Sequence, residues 1–166
     1  MPTSRQIFEK ISTLKIHIPP FVEPNGKYEL VSVCDSIAYT SGQLPRLNND
    51  GKLICGPLAA DQDIREAIEA AKISFVRALL ALDHKIGDLS HIKRLIFIRG
   101  FVNAEAGFSR HARILDGVSQ LAIDLFGPHV GKHSRSALGA GSLPSVGLVE
   151  VEVIAKVENL KNRSEA

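Results

Sequence analysis

The sequence predicts an α+β fold: one mixed β-sheet of about five strands with two long helices on one face, a two-layer sandwich. Two segments, 61–86 and about 108–126, repeat apolar residues every three or four positions, so each buries one side of a helix. Strand-like runs flank them in the order helix, hairpin, helix, strand, helix, hairpin. The chain of 166 residues, 45% hydrophobic and 23% charged, suits one domain with one core.

The first helix starts at Thr3, which stands three residues before Gln6 in capping-box spacing. Ile7, Ile11 and Leu14 recur at helical intervals, and Pro19-Pro20 stops the pattern. Residues 1–20 thus form an extension packed on the main body, which spans 21–158. Tyr28–Val33 and Ile37–Ser41 read as a hairpin around Asp35-Ser36. Gly42 to Gly56 is a loop, with its strongest turn at Asn48-Asn49-Asp50-Gly51.

From Asp61 to Ile86, the residues Ile64, Ile68, Ala71, Phe75, Leu79, Leu82 and Ile86 form a stripe, with Arg65, Glu66, Glu69, Lys72 and Arg77 facing away. Gly87-Asp88 ends this helix. Ile92–Val102 alternates as a strand. The next helix carries Ala112, Leu115, Val118, Ala122 and Leu125 and stops at Gly127-Pro128. A second hairpin then joins an Arg135 strand to a Glu150 strand through Pro144-Ser145-Val146-Gly147. Residues 159–166 read as a frayed tail. So many small residues in Ala137–Gly141 imply close approach by a backbone or a ligand. The face of the sheet left bare by the helices needs cover, so a homo-oligomer is expected.

Composition narrows the function. With 20 basic and 18 acidic residues the net charge is +2, too balanced for a dedicated nucleic-acid or membrane-surface binder. Lys93, Arg94, Arg99, Arg110, His111 and Arg113 are a basic group, but strand and helix geometry splays them, and with no Trp and 5% aromatics stacking platforms are scarce. Nucleic acid is therefore not an expected partner. Charged residues interrupt the N-terminal run and no apolar stretch reaches about 18 residues, so neither a signal peptide nor a membrane span is expected. Cys34 and Cys55 alone suggest no disulfide framework, and the cytoplasm is the expected compartment.

The chemistry concentrates at Arg135 and Glu150. Charges in apolar strands are unusual unless paired or functional. A guanidinium is a permanent cation with a planar fork matched to carboxylates. Each residue also has a plainer reading. Arg135 pairs structurally with Glu150 or Glu152; Glu150 and Glu152 share a face and are simply solvated. Tyr28 is an ordinary half-buried strand residue, and Ser41 supports a turn. His129 and His133 have an i,i+4 interval, but the surrounding Gly and Pro argue against a helix there, and no metal site is expected.

Thr40-Ser41-Gly42-Gln43-Leu44-Pro45, Arg135-Ser136, Leu143-Pro144 and Val149-Glu150-Val151-Glu152 together resemble the RidA (YjgF) family of enamine/imine deaminases. The N-terminal helix and the Arg-Ser-Ala-Leu-Gly form resemble a divergent branch of it. The resemblance covers roughly residues 28–157. It implies a chorismate-mutase-like fold, a homotrimer, and sites in clefts between subunits. It places the substrate-carboxylate Arg on Arg135, the water-orienting Glu on Glu150, the site Ser on Ser41 and the site Tyr on Tyr28. Where many members carry Cys, this chain has Ala137; where many have Asn in the second long helix, it has Ser119, which is read as substrate-binding.

The expected function is hydrolysis of small 2-imino or enamine acids, such as 2-aminoacrylate, to 2-keto acids and ammonia, with no cofactor. The alternatives are a non-catalytic carboxylate binder and a ribonuclease or translation inhibitor. Larger imino acids such as 2-aminomuconate are also open, with room made by Ala137, Gly139 and Ser119.

Overall fold

The computed structural model describes residues 1–21, 23–24, 26–50 and 52–158. Five strands form one mixed sheet: β1 (Val31–Cys34), β2 (Ile37–Thr40), β3 (Ile92–Asn103), β4 (Ser134–Ala140) and β5 (Val149–Val157). Their order is β1-β2-β5-β3-β4. Among the described residues three α-helices accompany them: α1 (Ser4–Thr13), α2 (Arg65–Ile86) and α3 (His111–Gly131). The expected tail at 159–166 lies outside the described residues.

The expected second hairpin is not formed. β3 pairs parallel with β4 and antiparallel with β5, so it lies between them. The run Ala140–Leu148 is therefore a crossover over β3. Asn103, buried at the end of β3, pins this crossover: its Nδ2 donates to the Gly147 carbonyl and its backbone N–H to that of Leu148. A cation and a carboxylate that seemed to sit on facing strands are thus separated by a whole strand.

The two long helices cover one face. Ile98, Gly100 and Val102 of β3 point to them, and a Cβ on Gly100 would stand 2.4 Å from Leu115 of α3. Val149, Val151, Val153 and Ala155 of β5 are fully buried on the same side. The alternation of β5, apolar in and polar out, is that of a half-covered sheet.

The element boundaries differ from expectation for local reasons. α2 starts at Arg65 rather than Asp61, because the Asp63 carboxylate accepts from the Arg65 backbone N–H and closes a turn. α1 ends at Thr13, well before the prolines, with Lys15 at φ 57°. Leu14 is consequently exposed and Ile16 is buried in its place. The Thr3–Gln6 capping box is formed in both directions. α3 begins at His111, which leaves Ala112 exposed. Its main body does break at Gly127 (φ 75°, ψ 165°), and a further helical turn follows through Pro128 to Gly131.

The outer side of α2 departs most from expectation. Arg77, read as solvent-facing, is only 8% exposed. The segment after α1 lies over the C-terminal half of α2: Phe21 stacks on His84 at 4.4 Å, and Pro20, Phe21 and Leu30 close over Arg77, Leu80 and Ala81. Residues 73–82 of the helix are therefore buried at every position but Leu80, and amphipathic spacing does not announce that.

Candidate active site

Glu150 owes its position to a detour in β2. The β2–β5 ladder runs as far as Tyr39, opposite Ile154. There the Thr40 hydroxyl replaces the backbone and accepts from the Val153 N–H at 2.9 Å. The chain returns at Gln43, which exchanges both backbone hydrogen bonds with Val151. Ser41 and Gly42 lie in the gap. The Glu150 side chain passes over Gly42 so closely that a Cβ there would fall 1.9 Å from its Oε1. Glycine at this position leaves room for the carboxylate.

Ser41 holds the neighbouring segment in place. Its backbone N–H donates to the Leu30 carbonyl at 2.8 Å and its hydroxyl to that of Glu29 at 2.7 Å. Both bonds lie beside Tyr28, which is not a strand residue: it precedes β1, in irregular backbone, and is half exposed. Tyr28, Ser41 and Glu150 line one cleft of about 810 Å³, together with Glu23, Gln43, Arg46, Arg77 and Ser145.

The two carboxylates of β5 have different surroundings. Glu152 stands opposite Arg99 and bonds its Nη1 at 2.9 Å. Glu150 stands opposite Phe101 and has no ion pair or hydrogen bond among the described residues. Burial, and then the nearby charge of Glu152, push its carboxyl above the usual carboxylate range. A half-buried carboxyl with a raised pKa is suited to exchanging a proton with bound water.

Arg135 lies elsewhere in the chain. It stands opposite Ile98 on the helix-covered side, while Glu150 is on the bare side. Its Nη1 donates to Asp116 Oδ1 at 2.9 Å and to Ser119 Oγ at 3.0 Å, both on α3. Ser119 also contacts His133 Nε2 at 3.2 Å. Burial lowers the His133 pKa, so this ring is neutral near pH 7. One edge of the Arg135 guanidinium is thus committed, at the rim of an edge strand.

The chain therefore carries two groups of expected site residues: Tyr28, Ser41 and Glu150 in one cleft, Arg135 and Ser119 in another place. Ala137, Gly139 and Ser119 do not line the Glu150 cleft. Gly139 is small because His111 lies against it: an added Cβ would stand 2.8 Å from Nε2. The expected basic group is also divided. Lys93 pairs with Glu158 and Arg99 with Glu152, while Arg110 at the far end of β3 donates to the Ala60 and Gln62 carbonyls. Arg46 and Arg77 went unrecognised as cleft residues. Only the turn of chain over α2 brings Arg77 there, and no local pattern signals it.

A mixed five-stranded sheet with two long helices on one face, and a carboxylate cleft beside the first hairpin, defines a chorismate-mutase-like α+β protein. The chain belongs to the family described as “YjgF/chorismate_mutase-like, putative endoribonuclease”, whose profile matches residues 9–157. Among curated relatives it is 30% identical to Protein TCP17 of Trypanosoma cruzi, over 94% of this chain and 97% of that one. A solved protein of unknown function from Agrobacterium tumefaciens is 30% identical, with TM-score 0.79 over 92% of this chain and 94% of that one. A “putative endoribonuclease” from Shewanella oneidensis is 29% identical, with TM-score 0.81 over 91% and 99%. No described helix is long and apolar enough to cross a membrane.

Proposed function

We propose that the protein hydrolyses small, reactive 2-imino and enamine acids of the 2-aminoacrylate kind to 2-keto acids and ammonia, without a metal or organic cofactor. The observation that carries this reading is Glu150: a half-buried carboxyl with no cation partner among the described residues, in a cleft that Tyr28 and Ser41 also line. Glu152 takes the neighbouring arginine and leaves Glu150 free for water.

The enamine first tautomerises to the imine. Water, aligned by Glu150, adds its oxygen to the C=N carbon of the protonated imine while the carboxylate accepts one water proton and the C=N electron pair returns to nitrogen, giving a neutral carbinolamine. The carbinolamine then collapses: Glu150 returns its proton to nitrogen, the C–N bond breaks as the hydroxyl oxygen forms C=O, and the hydroxyl proton leaves with ammonia as ammonium. Arg135 grips the substrate carboxylate through the edge of its fork not used by Asp116 and Ser119. Holding imine and water in attack geometry removes much of the entropic barrier.

This requires Arg135 of one subunit to meet Glu150 of another, because within one chain they lie on opposite faces of the sheet. A homotrimer supplies that arrangement. The bare sheet face supports association: Tyr39 and Leu138 are 46% and 43% exposed there, beside the partly buried Phe97, Phe101 and Ile154. In this reading residues 21–158 are the catalytic unit, residues 1–20 brace α2 and α3, and the protein works in the cytoplasm.

Ammonia release from enzymatically generated 2-aminoacrylate tests the reaction. Wild-type protein is expected to accelerate it. Arg135→Ala is expected to abolish the acceleration while the assembly survives. No acceleration at high protein concentration would remove this substrate. Glu150→Gln separates enzyme from binder: carboxylate binding persists in both cases, and only an enzyme loses turnover.

A further inference from the structure

The floor of the cleft holds two cations that the reaction above does not use. Arg77 is 92% buried, and its Nη1 has no hydrogen-bond partner among the described residues. Arg46, on the loop after β2, lines the same cleft and forms no ion pair among the described residues. The two guanidiniums are close enough to repel. Burial first, and the Arg46 charge second, push Arg77 down to about 10. The carboxylates lining the cleft, Glu23 and Glu150, bond neither arginine, and the Tyr28 hydroxyl is the other titratable group there.

A buried guanidinium is ordinarily paired, since desolvating it without a partner is costly. Two like charges beside each other raise that cost, and an oxyanion between them removes it. The cavity also has room: about 810 Å³ lies in the range that holds drug-sized ligands, far more than a three-carbon acid fills.

We propose that Arg77 and Arg46 form an oxyanion subsite for a second acid group on the ligand. The substrate class is then a dianionic 2-imino or enamine acid, with its α-carboxylate at Arg135 and a distal carboxylate or phosphate at Arg77 and Arg46. The assignment of the α-carboxylate rests on the proposed deaminase reading; the anion subsite itself does not.

Calorimetry on the intact assembly tests it with four probes: propionate, valerate, glutarate and 4-phosphonobutyrate. Glutarate is expected to bind at least about tenfold more tightly than valerate, which has the same carbon count and one acid group fewer. The phosphonate arm shows which distal anion the subsite prefers: tighter binding than glutarate assigns a phosphate, weaker binding a carboxylate, and both keep the subsite. Arg77→Met is expected to erase the glutarate preference. Arg46→Gln, outside the core, is expected to reduce the preference several-fold and decides the matter if Arg77→Met does not fold. Equal binding of glutarate and valerate by wild type that neither substitution weakens, or a preference surviving either substitution in full, overturns the subsite. Ammonia release from 2-aminoacrylate is read separately. Release without a diacid preference sinks the subsite alone; a diacid preference without release removes 2-aminoacrylate as a substrate and keeps the subsite.

Discussion

Two charges at the cleft, the half-buried Glu150 and the buried Arg77, are costly to the fold. Glu150 has a folded-state pKa above its unfolded value. Between the two values the native state holds more protons than the unfolded one, so stability falls as pH rises through that window and stays lowered above it. Glu150→Gln is therefore expected to melt higher than wild type at pH 7, with the gain disappearing near pH 4, while turnover is lost. Thermal unfolding at both pH values, beside an ammonia assay, checks this. The acidic limb of kcat/KM is likewise expected above the ordinary carboxylate range. Arg77 has its pKa pushed down to about 10 from 12.5. The unfolded chain holds that proton more tightly, so the penalty is complete across the neutral range, on the order of 3 kcal/mol. Arg77→Met is expected to raise stability by about 1–3 kcal/mol in urea melts at pH 7 without added anion. An anion that binds Arg77 should stabilise wild type and leave this variant unmoved.

At the scale of elements, the β2 detour sets the geometry of the carboxylate. Gly42→Ala would place a methyl against Glu150 Oε1, the far end of a flexible side chain. The fold can yield there, but the carboxylate must move. Turnover is expected to fall about 100-fold with little change in melting temperature. Gly100→Ala makes the opposite prediction, because its methyl meets Leu115 inside the core. It is expected to cost about 1–3 kcal/mol of stability, read by denaturant unfolding. The helices and strands themselves were legible from periodicity: Phe75, Leu79 and Leu82 fill the core as their spacing implies. The role of Thr40 was not legible, since a hydroxyl that replaces a ladder bond looks like any strand threonine. Nor was Arg77, whose burial depends on a distant segment folding over α2.

At the scale of the whole molecule, the sheet order matters most. Leu143-Pro144 and the turn after it suggested a hairpin, yet β3 enters between β4 and β5. Sequence shows strands and turns, but pairing between distant segments is decided by packing. The consequence is functional: Arg135 and Glu150, 15 positions apart in sequence, face opposite sides of the sheet. In the proposed reading a single chain then holds two half-sites, which association completes. The surface that reading assigns to association is the half-covered sheet face, where Tyr39 and Leu138 are exposed. The most direct test mixes the halves. Arg135→Ala and Glu150→Gln subunits, each inactive alone, are dissociated, combined in equal amounts and reassembled, and ammonia release is measured. A shared site predicts recovery of about a quarter of wild-type activity, because one interface in four joins an intact Arg135 to an intact Glu150. Mixed assemblies that form and stay inactive would contradict the account.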